Sequence, residues 1–159
     1  MYKMYKPKYF KATEFYNYSK MNSILILILD KLREKCGDFY KISFQIISSN
    51  EETHKHSSGS LHYLNKAVDF VVNVQDHKDI IFTNKFIADL IIFNLQALKF
   101  WDNIGIGIYV NSKGIMSIHL DYREKHGEWM AISKDETGNW IYEGLDLKKI
   151  EKSIKTNND

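Results

Sequence analysis

Two apolar runs in this chain each carry ionisable residues inside them, and that restricts how the runs can be buried. Ala67 to Val74 reads AVDFVVNV, with Asp69 among β-branched and aromatic neighbours. Ile115 to Tyr122 reads IMSIHLDY, with His119 inside it and Asp121 two residues on. Both have the composition of β-strands. A carboxylate in such a strand is expensive to bury unless a metal or a cation meets it. Side chains alternate between the two faces of a strand, so Ser117, His119 and Asp121 share one face. Met116, Ile118 and Leu120 take the other, which points Met116 away from the polar group.

The remaining segments complete an α+β pattern. Ser23 to Lys35 reads as a helix rich in Leu and Ile, with Gly37 as its stop. Lys41 to Ser48 (KISFQIIS) reads as a strand, and the polar stretch Ser49 to Ser60 as a loop. Thr83 to Phe100 has helical spacing, with Phe86, Leu90, Phe93 and Ala97 on one side. Gly105 to Val110 is a strand joined to the His119 strand by a hairpin at Asn111 to Gly114, where glycine supplies a positive φ. Glu128 to Ser133 reads as one more strand. The sum is two packed helices and a largely antiparallel sheet.

With 159 residues, 44% of them apolar, the chain can build a core without disulfides or a structural metal. A metal, if bound, is there for chemistry. Cys36 is the only cysteine, so no intrachain disulfide forms, and it reads as a buried or half-buried thiol near a helix end. The formal charge of +2 is too mild for a nucleic-acid partner. The longest early apolar run, Ile24 to Leu29, is far short of the roughly 20 residues that span a bilayer, so neither membrane insertion nor a signal peptide is expected. One domain over residues 1–152 is predicted, with a polar tail over 153–159, acting as a monomer.

His62 lies at the loop end just before the Asp69 strand, so the loop can fold it back beside Asp69. Two histidines and one aspartate with an open fourth position make the ligand count of a catalytic zinc site. Each residue also has a plainer reading. A strand histidine serves as a hydrogen-bonded core residue, Asp69 can pair with a lysine or cap a turn, and Asp121 can salt-bridge Arg123. His54 and His56 sit in a polar loop and read as surface residues on their own.

The spacing of Ser60, His62, Ala67 and Asp69 resembles the SxHxxGxAxD signature of zinc D-Ala-D-Ala carboxypeptidases and related phage endolysins. That group also includes the Sonic hedgehog signalling domain. His119-Leu-Asp121 is similar to the HxD strand of one branch. Tyr9 to Phe15, the helix ending at Leu32 and Arg33, Gly105 to Tyr109, and Trp129 extend the likeness over about residues 8 to 133. The resemblance implies a hedgehog/D-Ala-D-Ala peptidase-like fold and Zn2+ held by His62, Asp69 and His119. It implies hydrolysis of peptidoglycan peptides, with Asp121 as the catalytic base or as a residue that orients a ligand. Ser60, His56 and Trp129 are expected at the substrate, with Tyr63 and Tyr109 as further cleft residues. The rims fall to Ser49 to Gly59 and Arg123 to Glu128. Asn65 stands where the pattern has glycine, a change that a left-handed backbone tolerates. The arginine expected after the early strand is missing, since the chain reads Ser48-Ser49-Asn50-Glu51, and the positions shortly before His119 hold Met116, Ser117 and Ile118 in place of a glutamate. A chain made in the cytoplasm and acting at the wall after release, as a phage or prophage lysis enzyme would, fits these expectations.

Overall fold

The computed structural model describes residues 5–40, 42–49, 56, 59–74, 80–111 and 114–155. Its elements are α1 (Ser23–Tyr40), β1 (Ile42–Ser48), β2 (Ala67–Val74), α2 (Ile80–Gln96), β3 (Ile104–Asn111), β4 (Gly114–Tyr122), β5 (Gly127–Lys134), β6 (Trp140–Gly144) and α3 (Leu147–Lys155). The strands form one sheet in the order β1-β2-β4-β3-β5-β6. Neighbours are antiparallel except β3 and β5, which run parallel. Parallel neighbours need a return path, and β4 itself provides it. The chain comes back along β4, passes the start of β3 through residues 123–126, and enters β5.

The period-2 alternation sorts the sheet into two faces. Phe44, Phe70, Ile106, Ile118 and Leu120 point to one side and pack with Leu25, Leu29 and Leu32 of α1 and with Ile87, Ile91 and Leu95 of α2. Ile150 of α3 closes a smaller cluster with Ala88, Ile108, Val110 and Met130. The opposite face is left to Asp69, His119 and Asp121. No helix among the described residues is long and apolar enough to cross a membrane.

The α+β class and a mostly antiparallel sheet are as expected, and the boundaries correct several readings. Helix α1 continues through Gly37 to Tyr40. Glycine inside a helix costs only about 1 kcal/mol relative to alanine, and the buried stripe Leu25, Leu29, Leu32, Cys36 carries on to the last of these positions. Cys36 is buried, and burial pushes its thiol up to about 12. Helix α2 starts and stops earlier than the periodicity indicated. Its buried side is Ile87, Ala88, Ile91 and Leu95, while Phe93 is 69% exposed and Ala97 lies beyond the helix. Apolar residues on nearly every side of this helix hide which stripe meets the sheet. Strand β6 and helix α3 were not anticipated, and residues 153–155 of the expected tail are the end of α3. A signal was present in Asp146, whose Oδ1 accepts from the backbone N–H of Lys148 (2.9 Å) and Lys149 (3.3 Å) as a helix N-cap does. Gly114 has the expected positive φ of 123°, while residues 112 and 113 of that hairpin lie outside the described residues.

Asp30 ties the N-terminal segment to α1. It is 2% exposed and accepts from the Tyr5 hydroxyl (2.8 Å) and from the backbone N–H of Lys8 (2.9 Å) and Tyr9 (2.7 Å). Asp30→Ala leaves these donors without their acceptor. We expect a loss of roughly 2–4 kcal/mol, read as a lower urea midpoint at unchanged slope. A midpoint within error of the parent would show that the segment is held by its aromatic packing instead.

Candidate metal centre

Three elements deliver the polar groups. The sheet register pairs Asp69 of β2 directly with His119 of β4. It also sets Gly107 beside His119 and Gly105 beside Asp121. The third element is the turn before β2, closed by backbone bonds from Asn65 N–H to His62 O (3.0 Å) and from Lys66 N–H to Leu61 O (2.9 Å). Asn65 has a φ of 59°, the left-handed conformation that glycine takes most easily and Asn tolerates. Ser60 Oγ accepts from the His62 backbone N–H (3.3 Å). The turn lays His62, 2% exposed, beside Asp69.

The donor atoms converge. His62 Nε2 is 3.4 Å from Asp69 Oδ2 and 3.4 Å from His119 Nδ1. His119 Nδ1 is 2.8 Å from Asp69 Oδ1. Ligands about 2.0–2.1 Å from a tetrahedral zinc stand about 3.3 Å from one another, so the spacing suits one small ion. The far sides of both imidazoles are anchored as metal-bound histidines are. His62 Nδ1 is hydrogen-bonded to the Ser49 carbonyl, which fixes its proton there and leaves Nε2 as the lone pair facing Asp69. His119 Nε2 is 3.0 Å from Asp121 Oδ2, which leaves Nδ1 to face the same point.

Asp121 is held in turn by Arg123. Nε of Arg123 donates to Oδ1 (2.6 Å), and Nη2 forms a second close bond to Oδ2. Asp121 is 1% exposed with both oxygens engaged. Such a carboxylate orients His119 and is poorly placed to take a proton from water. The salt bridge to Arg123 foreseen from the sequence is present, and it favours the orienting role. The guanidinium also lies over Trp129, 4.9 Å from the ring centre. A Cβ on Gly105 would run into Arg123, and one on Gly107 into the Trp129 indole. The two glycines make room for the groups that brace the site.

Charge follows geometry. Burial opposes ionisation of Asp69, but the hydrogen bond from His119 leads the interactions that outweigh it and hold the carboxyl well below its usual range. Burial likewise would lower His119, but Asp121 and Asp69 push it up to about 9. For Asp121 too, burial is outweighed by Arg123 and His119, and its pKa is lowered. Without a metal, His119 is therefore an imidazolium between two carboxylates.

His56 also comes close. His56, His62 and Asp69 each offer a ligand atom, all within 4.8 Å of one another, so this trio too could hold a metal ion. The His56 ring, however, stacks on His62 at 3.9 Å and 3°. Imidazole lone pairs lie in the ring plane, and two parallel stacked planes do not meet at one ion. The His62 and His119 rings stand at 64°, which lets their lone pairs converge. His56 instead meets Ser48 Oγ at 3.3 Å.

A cleft of about 1020 Å³ opens over this group. Ser60, His56, Trp129 and Tyr109 all line it. Tyr63 is 45% exposed, does not line the cleft, and bonds to the His56 backbone. Met116 faces the polar side, opposite to what strict alternation predicts. The register jumps between Tyr109 paired with Ser117 and Val110 paired with Ile115, so Met116 is the extra residue of a β-bulge. Ile115 packs toward the core and Met116 turns to the cleft. Of the expected rims, His56, Gly59 and Arg123 line the cleft, while His54 lies outside the described residues. The β5–β6 hairpin, unread in the sequence, supplies Gly138, Asn139, Trp140 and Tyr142. Comparisons with protein-family models, curated proteins and solved structures return no match.

The ionic cluster makes metal-free stability depend on pH. The raised His119 pKa contributes fully below about pH 6.5, and that contribution is lost as pH rises through about 9. The depressed Asp69 contributes above about pH 4 and loses its contribution as pH falls further. Urea unfolding in chelator should therefore show the highest stability between these limits, with a decline toward about pH 9.5 that His119→Gln flattens. An alkaline limb identical in parent and variant would contradict the charged state of His119.

Proposed function

We propose that this chain is a zinc-dependent peptidase that cleaves peptide bonds of peptidoglycan, in stem or bridge peptides containing D-amino acids. The observation that carries the reading is the donor pattern. His62 Nε2, His119 Nδ1 and Asp69 face one point, while the other nitrogen of each histidine is held by Ser49 O or Asp121. Borderline-soft nitrogen donors with a single carboxylate suit zinc better than magnesium or calcium, which prefer all-oxygen shells. A zinc ion bound there would supply a water acidic enough to attack at neutral pH and a Lewis acid for the scissile carbonyl. The chain's own residues do the rest. Asp121 and Arg123 fix the His119 ring, Trp129 braces Arg123, and the cleft receives an extended peptide. The likeness of Ser60, His62, Ala67 and Asp69 to the D-Ala-D-Ala peptidase signature supports the same reading, with a hedgehog/D-Ala-D-Ala peptidase-like fold, a monomeric state and an endolysin role at the wall.

A second reading is a zinc-holding wall-binding module without turnover. Saturation of Asp121 by Arg123 and His119 favours it, because the carboxylate beside the ligand set is not available as a base.

Elemental analysis of protein expressed with zinc should give about one zinc per chain, lost in His62→Ala. Purified walls should release peptides with the parent and none with the variant. Zinc-loaded protein that releases nothing from any wall type would leave the binding module as the reading, and a chain that takes up no zinc would end both. Asp121→Asn should weaken zinc affinity about 10–100-fold, as loss of a partner behind a ligand histidine does. Unchanged affinity with abolished turnover would instead make Asp121 the base.

A further inference from the structure

The cleft extends well past the metal centre, and its two ends differ in chemistry. The charged and imidazole lining groups, His56, His62, Asp69, His119, Asp121 and Arg123, gather about the metal centre. The other end is walled by Tyr109, Met116, Asn139, Trp140 and Tyr142, none of them charged. The register pairs Tyr109 with Ser117 and Gly107 with His119. Tyr109 thus lies two strand residues, about 7 Å, from the His119 position.

The aromatic residues there are arranged rather than merely exposed. Tyr109 is half-buried, and burial together with the neighbouring Tyr142 raises its pKa. Its ring is the one that both others meet. Trp140 and Tyr142 stand edge-on to it, at 72° and 86° with centroids 5.4 and 6.2 Å away. Two flat rings therefore flank a hub that carries hydroxyls. Lys134 lies against the Trp140 ring, 5.0 Å from its centre, and steadies it without itself lining the cleft. Tyr142 is 58% exposed, a large apolar ring left in water beside a cleft. Strands β5 and β6 place these rings in register, with Tyr142 opposite Ala131 and Trp140 opposite Lys134.

We infer that this aromatic end is a saccharide subsite, which takes an uncharged N-acetylated amino sugar of the wall glycan while the attached peptide runs toward the metal centre. A pyranose presents a flat C–H face to an aromatic ring and hydroxyls at its edge, matching rings with hydroxyl and amide neighbours. Stem peptides carry carboxylates and ammonium groups, which belong at the charged end. The choice of an amino sugar rests on the wall-substrate reading above; an uncharged, flat-faced ligand follows from the lining alone.

The test uses the whole 159-residue chain, metal-free, and an N-acetylglucosamine tetramer, which carries no peptide, followed by tryptophan fluorescence and calorimetry. Saturable binding is expected, weakened about tenfold or more by Trp140→Ala and by Tyr142→Ala. Tyr142→Phe, which keeps the ring, should retain most of it, and thermal melts of each variant verify folding. The inference is overturned if the parent does not bind the tetramer or if binding survives Trp140→Ala. It also falls if a free stem peptide competes for Trp140 while the sugar does not. Failure here with zinc-dependent peptide release intact removes the subsite alone. Sugar binding by a chain that takes up no zinc removes the metal reading alone.

Discussion

A carboxylate on an inner strand of the sheet sets the terms for everything around it. Asp69 lies on β2, between β1 and β4, and stays ionised only because His62 and His119 face it. Each histidine depends on a group behind it, the Ser49 carbonyl for one and Asp121 for the other. Asp121 is itself a buried charge and needs Arg123. The guanidinium fits only because Gly105 has no side chain, and it rests on Trp129, which fits only because Gly107 has none. Removing one member leaves its neighbour with an uncompensated charge, a larger penalty than the bond itself was worth. The residues act as a unit.

The short connection from β4 to β5 turns this cluster into a cleft. Because β4 returns the chain past the start of β3, four residues suffice to reach a strand parallel to β3. Arg123 sits at the head of that connection and its backbone N–H donates to Asn103 O (2.9 Å). Trp129 then enters β5 opposite Gly107. The same placement brings the β5–β6 hairpin round to the polar face, where its rings meet Tyr109. The core side of the sheet is filled by α1, α2 and α3, so the polar group is reached from the other face.

Much of this was legible because it rests on local pattern. Asp69 in AVDFVV and His119 in IMSIHLDY announced buried polar positions, and alternation put His119 and Asp121 on one face. The positive φ of Asn65 agrees with its standing where the resembled signature has glycine. Less was legible where pairing or packing decides. Met116 lines the cleft because a bulge shifts β4 by one residue, and a bulge is a property of the pair of strands. Gly37 lies within α1 because burial of Leu32 and Cys36 outweighs a local preference to stop. The site-facing role of Gly105 and Gly107 follows from β4 and β5 lying on either side of β3. Strand β6 has no signal in the sequence because WIYEG is mostly exposed and lacks the alternation of a half-buried strand.

The charge balance of the cluster bears on what the cleft can do. With His119 protonated, the imidazolium and the Arg123 guanidinium offset the two aspartates, and the group is neutral. That balance lets the buried charges compensate one another without a metal. A divalent ion in place of the His119 proton would leave the histidines neutral and give the group one net positive charge. In a cleft partly shielded from water, that excess favours a ligand on which negative charge develops, as it does on a carbonyl oxygen under attack.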